Sequence, residues 1–151
     1  MQYQSLDQIA AEADVRLAPV RPLNRRQRLT RWAEVLGHRS GRLRSIPDVE
    51  FGTAEERAAR RADNSPLTVA WQDPVLRAAG LKSDSVGDAA AFFGLSEEQL
   101  HRLVCYCHHG RFIDASLASA QVRAVARAGT VTPARVAAGL GAAAVLAAML
   151  L

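Results

Sequence analysis

The nine residues from His101 to His109 hold both cysteines of the chain, Cys105 and Cys107, and three of its four histidines, His101, His108 and His109. Imidazole and thiolate side chains bind zinc or copper, attack electrophiles and move protons near neutral pH. Read as one helix from about Glu97 to His109, with a step of about 100° per residue, the stretch has two arcs. Leu100, Leu103, Val104 and Cys107 share one, and His101, Cys105, His108 and His109 share its neighbour. Cys107 is then expected to be a small buried hydrophobe. His101, Cys105 and His109 are spaced at helical turns, so they form the candidate zinc or copper site. Three ligands leave a tetrahedral ion one short, and His38, Asp114 or a second subunit is the expected source of the rest. Two other chemistries compete on the same residues: a Cys105 nucleophile with a His101 or His109 base, and a redox-sensing thiol. A helix C-terminus opposes a thiolate, which weighs against the nucleophile. Histidines there also cap the last carbonyls without any metal. No glycine-rich phosphate loop, paired-carboxylate motif or Ser/His/Asp pattern stands elsewhere in the chain. The expectation is a protein that is not an enzyme, with no cofactor unless zinc or copper fills the cysteine–histidine site.

Short helices must position these groups. Ala and Leu dominate a chain that is 49% hydrophobic and only 5% aromatic, a composition that favours helix. Ser5 and Gln8 open a helix that carries Leu6, Ile9, Ala13 and Leu17 on one face. Asn24 caps a second, Arg25 to Leu36, with Leu29, Trp32, Ala33 and Leu36 as its stripe. Thr53 and Glu56 start a short polar helix. Asp73-Pro74, Ser85 and the pair Ser96/Gln99 open three more, and Gly80, Gly94 and Gly110 end them. Leu67 to Trp71 is the one predicted strand. Asp114 or Ser116 opens a helix to about Ala128. The fold class is all-α: a single small helical domain of six to eight mostly short helices over residues 5–128, followed by an apolar Ala-rich helix over 133–151.

The net charge of +4 is unevenly spread. Residues 16–61 carry twelve bases against five acids, and residues 62–110 carry three bases against six acids. Lys82 is the single lysine. Arginine favours bidentate contact with carboxylates and phosphates. No secretory signal precedes Val20, and two cysteines at i and i+2 of a helix diverge too far to bridge. A reducing cytoplasm is the expected location, with the cytoplasmic face of the inner membrane as the alternative.

Ala90, Gly94, Leu95, Leu100 and Leu103 occupy the structural positions of a two-helix turn. The stretch resembles the helix-turn-helix of bacterial DNA-binding proteins over about residues 86–109. That resemblance implies a DNA-binding regulator. Arg25, Arg26, Arg28 and Arg31 would then contact phosphates or an acidic partner, and Gln99, His101 and Arg102 would face bases. Glu97 and Glu98 at the start of the second helix oppose that role. Arg25 and Arg26 stand in the first turn of a helix, where the dipole disfavours cations and a partner would offset the cost.

From Val136 to Leu151 no residue is charged. A helix apolar all round is buried in protein or lipid. Sixteen residues span about 24 Å, short of the roughly 30 Å hydrocarbon core. Leu140, Val145, Leu146, Met149 and Leu150 are the residues expected to meet a protein partner, a second copy or a membrane. The leading functional expectation is thus a non-enzymatic helical interaction or adaptor protein that associates through this segment. A DNA-binding regulator and a metal or redox sensor centred on Cys105 are the alternatives.

Overall fold

The structure, a computed structural model, describes residues 22–47 and 49–129. The helix expected from Ser5 and the segment 133–151, with Leu140, Val145, Leu146, Met149 and Leu150, lie outside the described residues. The described chain is a small all-helical domain of eight helices with one minimal ribbon of sheet.

Helix α1 (Arg25–Gly37) opens on a complete capping box. The Gln27 N–H donates to Asn24 Oδ1 at 2.9 Å and the Asn24 N–H donates to Gln27 Oε1 at 2.9 Å. Leu29, Trp32, Ala33 and Leu36 are its buried stripe, as the 3.6-residue period requires. Strand β1 (Arg42–Arg44) follows, then a loop to Thr53, which caps α2 (Ala54–Ala59). Helix α3 (Pro66–Gln72) and helix α4 (Pro74–Ala78) join at Asp73, which ends one and caps the other. Helix α5 (Val86–Phe93) turns through Gly94 into α6 (Glu97–Val104). Helix α7 (Tyr106–His109), strand β2 (Phe112–Asp114) and helix α8 (Ala115–Ala128) complete the order.

Two features differ from the sequence expectation. Leu67–Trp71 is not a strand but the body of α3: Ser65 caps it, Pro66 sits at its first position, and Leu67, Val69 and Ala70 are buried. A cap followed by proline outweighs a short apolar run, which periodicity alone cannot assign. The strands lie elsewhere. β1 and β2 pair antiparallel, with Arg42 opposite Asp114, Leu43 opposite Ile113 and Arg44 opposite Phe112. Each strand buries its central residue and exposes the other two.

Trp32 organises the core. It is fully buried, stacks on Phe93 with ring centroids 4.5 Å apart, and donates its indole N–H to the Pro66 carbonyl at 2.9 Å. Phe92 meets Phe93 edge-on at 4.9 Å. Aromatic pairs in these geometries add roughly 0.5–1.5 kcal/mol to area burial. Helix α1 makes its broadest contact with α8, where the buried Ser119 hydroxyl donates to the Ala33 carbonyl at 2.6 Å. On the other side α2 lies close on α5. A Cβ at Gly87 would stand 2.8 Å from Ala58 Cβ and 3.2 Å from the Ala58 carbonyl oxygen.

Candidate metal centre

Helix α6 begins as expected, with the Ser96/Gln99 capping box. It does not reach His109. Cys105 takes an extended conformation, φ −78° and ψ 143°, and serves as the C-cap of α6 and the N-cap of α7. The cause is a distant segment. Ile46 forms a parallel bridge to Cys105: its N–H donates to the Val104 carbonyl at 2.8 Å, and its carbonyl accepts from the Tyr106 N–H at 3.1 Å. Those bonds replace the helical ladder at that point and swing the residues that follow onto a new axis.

The break overturns the expected placement of the cysteines. Cys105 is buried, and Cys107 is exposed as a residue. The Cys107 thiol nevertheless turns back toward Cys105, with the two Sγ atoms 3.0 Å apart. His101, one helical turn earlier on α6, presents Nε2 3.7 Å from Cys107 Sγ. Glu50, from the loop after β1, brings Oε1 within 3.8 Å of Cys105 Sγ and 3.8 Å of His101 Nε2. One donor atom from each of Glu50, His101, Cys105 and Cys107 lies within 4.8 Å of every other.

Tetrahedral zinc, with Zn–S near 2.3 Å and Zn–N near 2.0–2.1 Å, sets its ligand atoms about 3.3–3.8 Å apart. The edges from sulfur to His101 and to Glu50, 3.7 and 3.8 Å, lie close to that frame, and the His101–Glu50 edge of 3.8 Å would shorten by roughly 0.4 Å. The thiol–thiol edge would lengthen by roughly 0.8 Å to reach it. His101 is also held from behind. Its Nδ1 lies 3.2 Å from His108 Nε2, with the rings edge-on at 88°, leaving Nε2 to face the two sulfurs and the carboxylate. A metal-binding histidine ordinarily has such a partner on its other nitrogen. Desolvation, then hydrogen bonds with Cys105 and Glu50 and their like charge, push the Cys107 thiol from its usual 9.0 up to about 12. Metal-free, that sulfur is a neutral thiol and a poor nucleophile near neutral pH.

Of the sequence-predicted ligands, His101 and Cys105 converge. His109 does not: its Nε2 pairs with the Arg102 carbonyl oxygen at 2.8 Å. His38 caps the end of α1 and Asp114 caps α8, and neither joins the cluster. Glu50 and Cys107 were missed. Nothing in the sequence near Glu50 marks it, since it reaches the site only because Ile46 docks on Cys105. The helical wheel that places Cys107 in the core does not apply past Val104, where α6 ends.

The arginines proposed for a nucleic-acid or acidic partner are largely engaged inside the fold. Arg25 Nε donates to the Gly94 carbonyl at 3.0 Å, and Arg28 donates to the Phe92 carbonyl and lies over the Phe92 ring at 4.9 Å. Two guanidiniums therefore meet the C-terminal end of α5. Its negative dipole end supplies the compensation that the start of α1 withholds. Arg31 makes a two-pronged contact with Asp73, at 3.1 and 2.8 Å. Arg102 pairs with Glu98 along α6, and Gln99 is occupied by the Ser96 N–H at 3.1 Å. Arg26 is exposed.

No protein-family model, curated protein or solved structure matches this chain. Among the described residues, no helix is long and apolar enough to cross a membrane.

Proposed function

We propose that this domain is a non-enzymatic zinc-binding module, in which Cys105, Cys107, His101 and Glu50 hold one ion. The observation that carries the proposal is the convergence of four donor atoms from three segments within 4.8 Å. Zinc suits the donor set better than copper, because a carboxylate oxygen is a hard ligand and Cu(I) prefers thiolates and thioethers. The ion would offset the mutual repulsion of two thiolates and a carboxylate. It would also tie the loop carrying Glu50 to the joint between α6 and α7. Of the four ligands, Glu50 is the most exchangeable, being an exposed loop carboxylate, which suits a site that responds to zinc or to a competing ligand. This chemistry leads over association through the segment 133–151 because its four donor atoms converge within 4.8 Å. It leads also over DNA binding, because three of the four α1 arginines are engaged internally.

The test is metal analysis of the full chain purified without a histidine tag, with Co(II) substitution as the spectroscopic check. One zinc per chain and thiolate-to-cobalt absorption are expected. Cys107→Ser and His101→Ala should lose both while keeping the helical circular-dichroism signal, and His109→Ala should keep both. An apparent Kd weaker than about 1 μM, roughly 8 kcal/mol, would sink the proposal, since structural zinc sites reach about 10–16 kcal/mol.

A further inference from the structure

A second concave site lies beside this cluster. A cleft of about 580 Å³ is walled by Arg44 at the end of β1, Ser45, Arg61, Asp63, Tyr106 and Arg111. Three arginines and one acid, Asp63, line it, and the Arg111 guanidinium also lies over the Phe112 ring at 5.7 Å. Within 4 Å, Arg61 reaches Asp84 at 3.7 Å, while Arg44 and Arg111 have no carboxylate partner among the described residues. Arg31, Arg57 and Arg102 are paired with Asp73, Glu97 and Glu98, whereas most described arginines, Arg44 and Arg111 among them, have no described carboxylate within 4 Å. Ser45 lies in the floor of the cleft with its hydroxyl turned away from solvent. The residue is only 5% exposed, and its Oγ has no hydrogen-bond partner among the described residues. Tyr106 is 53% exposed and lends the cleft a flat aromatic wall.

We infer that this cleft binds a small nucleotide, its phosphate on Arg44, Arg61 and Arg111 and its base on Tyr106. Guanidiniums form paired hydrogen bonds with phosphate oxygens. The size falls within the range of small-molecule sites. Base stacking on an exposed tyrosine is worth roughly fivefold to a hundredfold in affinity. The site uses none of the four proposed zinc ligands, but Tyr106 lies between two of them in the chain, so Arg111→Gln is the variant that tests the cleft apart from the zinc site.

Calorimetric titration of the full chain with AMP, adenosine, glucose 6-phosphate and inorganic phosphate tests it. AMP is expected to bind most tightly, more weakly as salt rises, and adenosine far more weakly. Arg111→Gln should weaken AMP about tenfold. Tyr106→Ala should weaken AMP by a similar factor and leave inorganic phosphate unchanged, while Tyr106→Phe should restore AMP binding. Equal binding of AMP and glucose 6-phosphate would overturn the base assignment. Binding of a single-stranded RNA oligomer with none of AMP would overturn the small-ligand assignment. No binding by any of the four, or AMP binding indifferent to Arg111→Gln, would overturn the site altogether.

Discussion

Two groups of arginines in this domain have the same chemistry and opposite circumstances. Arg25, Arg28 and Arg31 on α1 are anchored to the Gly94 and Phe92 carbonyls and to the Asp73 carboxylate. Arg44, Arg61 and Arg111 stand around an open cleft with one distant carboxylate contact among them in the described residues, Arg61 to Asp84. The first group stabilises the fold, since its charge is matched by a helix terminus and by a buried acid. The second lines a cleft that holds a single acid, Asp63, where a bound anion would offset its charge. A basic stretch in a sequence therefore says little about a partner until each guanidinium has been followed to its acceptor.

Substitutions can break or sharpen this contrast. The largest effect is expected at Asp73. Its carboxylate accepts from the Leu76 N–H as the cap of α4 and takes both prongs of Arg31. Asp73→Ala should lower unfolding stability by about 2–3 kcal/mol in urea denaturation, combining a lost cap with a broken ion pair whose arginine is partly solvated. Next comes Arg28→Ala, expected to cost about 1–2 kcal/mol by the same measurement through the lost Phe92 carbonyl bond and ring contact.

A smaller effect should appear in acid. Burial alone would push the Asp73 carboxyl up, but the Arg31 hydrogen bond, the Leu76 amide and the charges of Arg31 and Arg77 together hold it below its ordinary value. A carboxyl depressed in the folded state contributes fully above its unfolded value, near pH 3.9, and that contribution disappears as pH falls through the lower folded value. Wild-type stability should therefore drop more steeply below about pH 4 than that of Asp73→Asn, followed by thermal melts across pH. The smallest effect belongs to the cleft. Arg44→Gln and Arg111→Gln should change stability by no more than about 0.5 kcal/mol. Destabilisation at Arg111 comparable to that at Arg28 would erase the distinction between the two groups.

Much of the scaffold was legible before any coordinates, because its signals are local. Asn24 with Gln27, Thr53 with Glu56, and Ser96 with Gln99 each satisfy the first amides of their helices from within four residues. Gly94, at φ +59°, ends α5 where expected, and the Leu95 N–H folds back to the Ala90 carbonyl at 3.0 Å. The arcs of α1 and of α6 as far as Val104 were likewise readable from the spacing of their apolar residues. Two of the four candidate ligands, His101 and Cys105, followed from composition and spacing alone.

The joint at Cys105 carries no such mark. Neither glycine nor proline interrupts the run from His101 to His109, and each residue there tolerates helix. The helix ends because Ile46, nearly sixty residues earlier in the chain, takes over the backbone bonds at Val104 and Tyr106. That pairing exchanges the roles of the two cysteines, excludes His109 and delivers Glu50. It also places Tyr106 in the wall of the arginine cleft. Caps, turns and apolar stripes depend on neighbours within a turn or two, so residue order specifies them. The ligand set and the cleft depend on hydrogen bonds between remote backbones, and those exist only once the packed chain has brought the partners side by side.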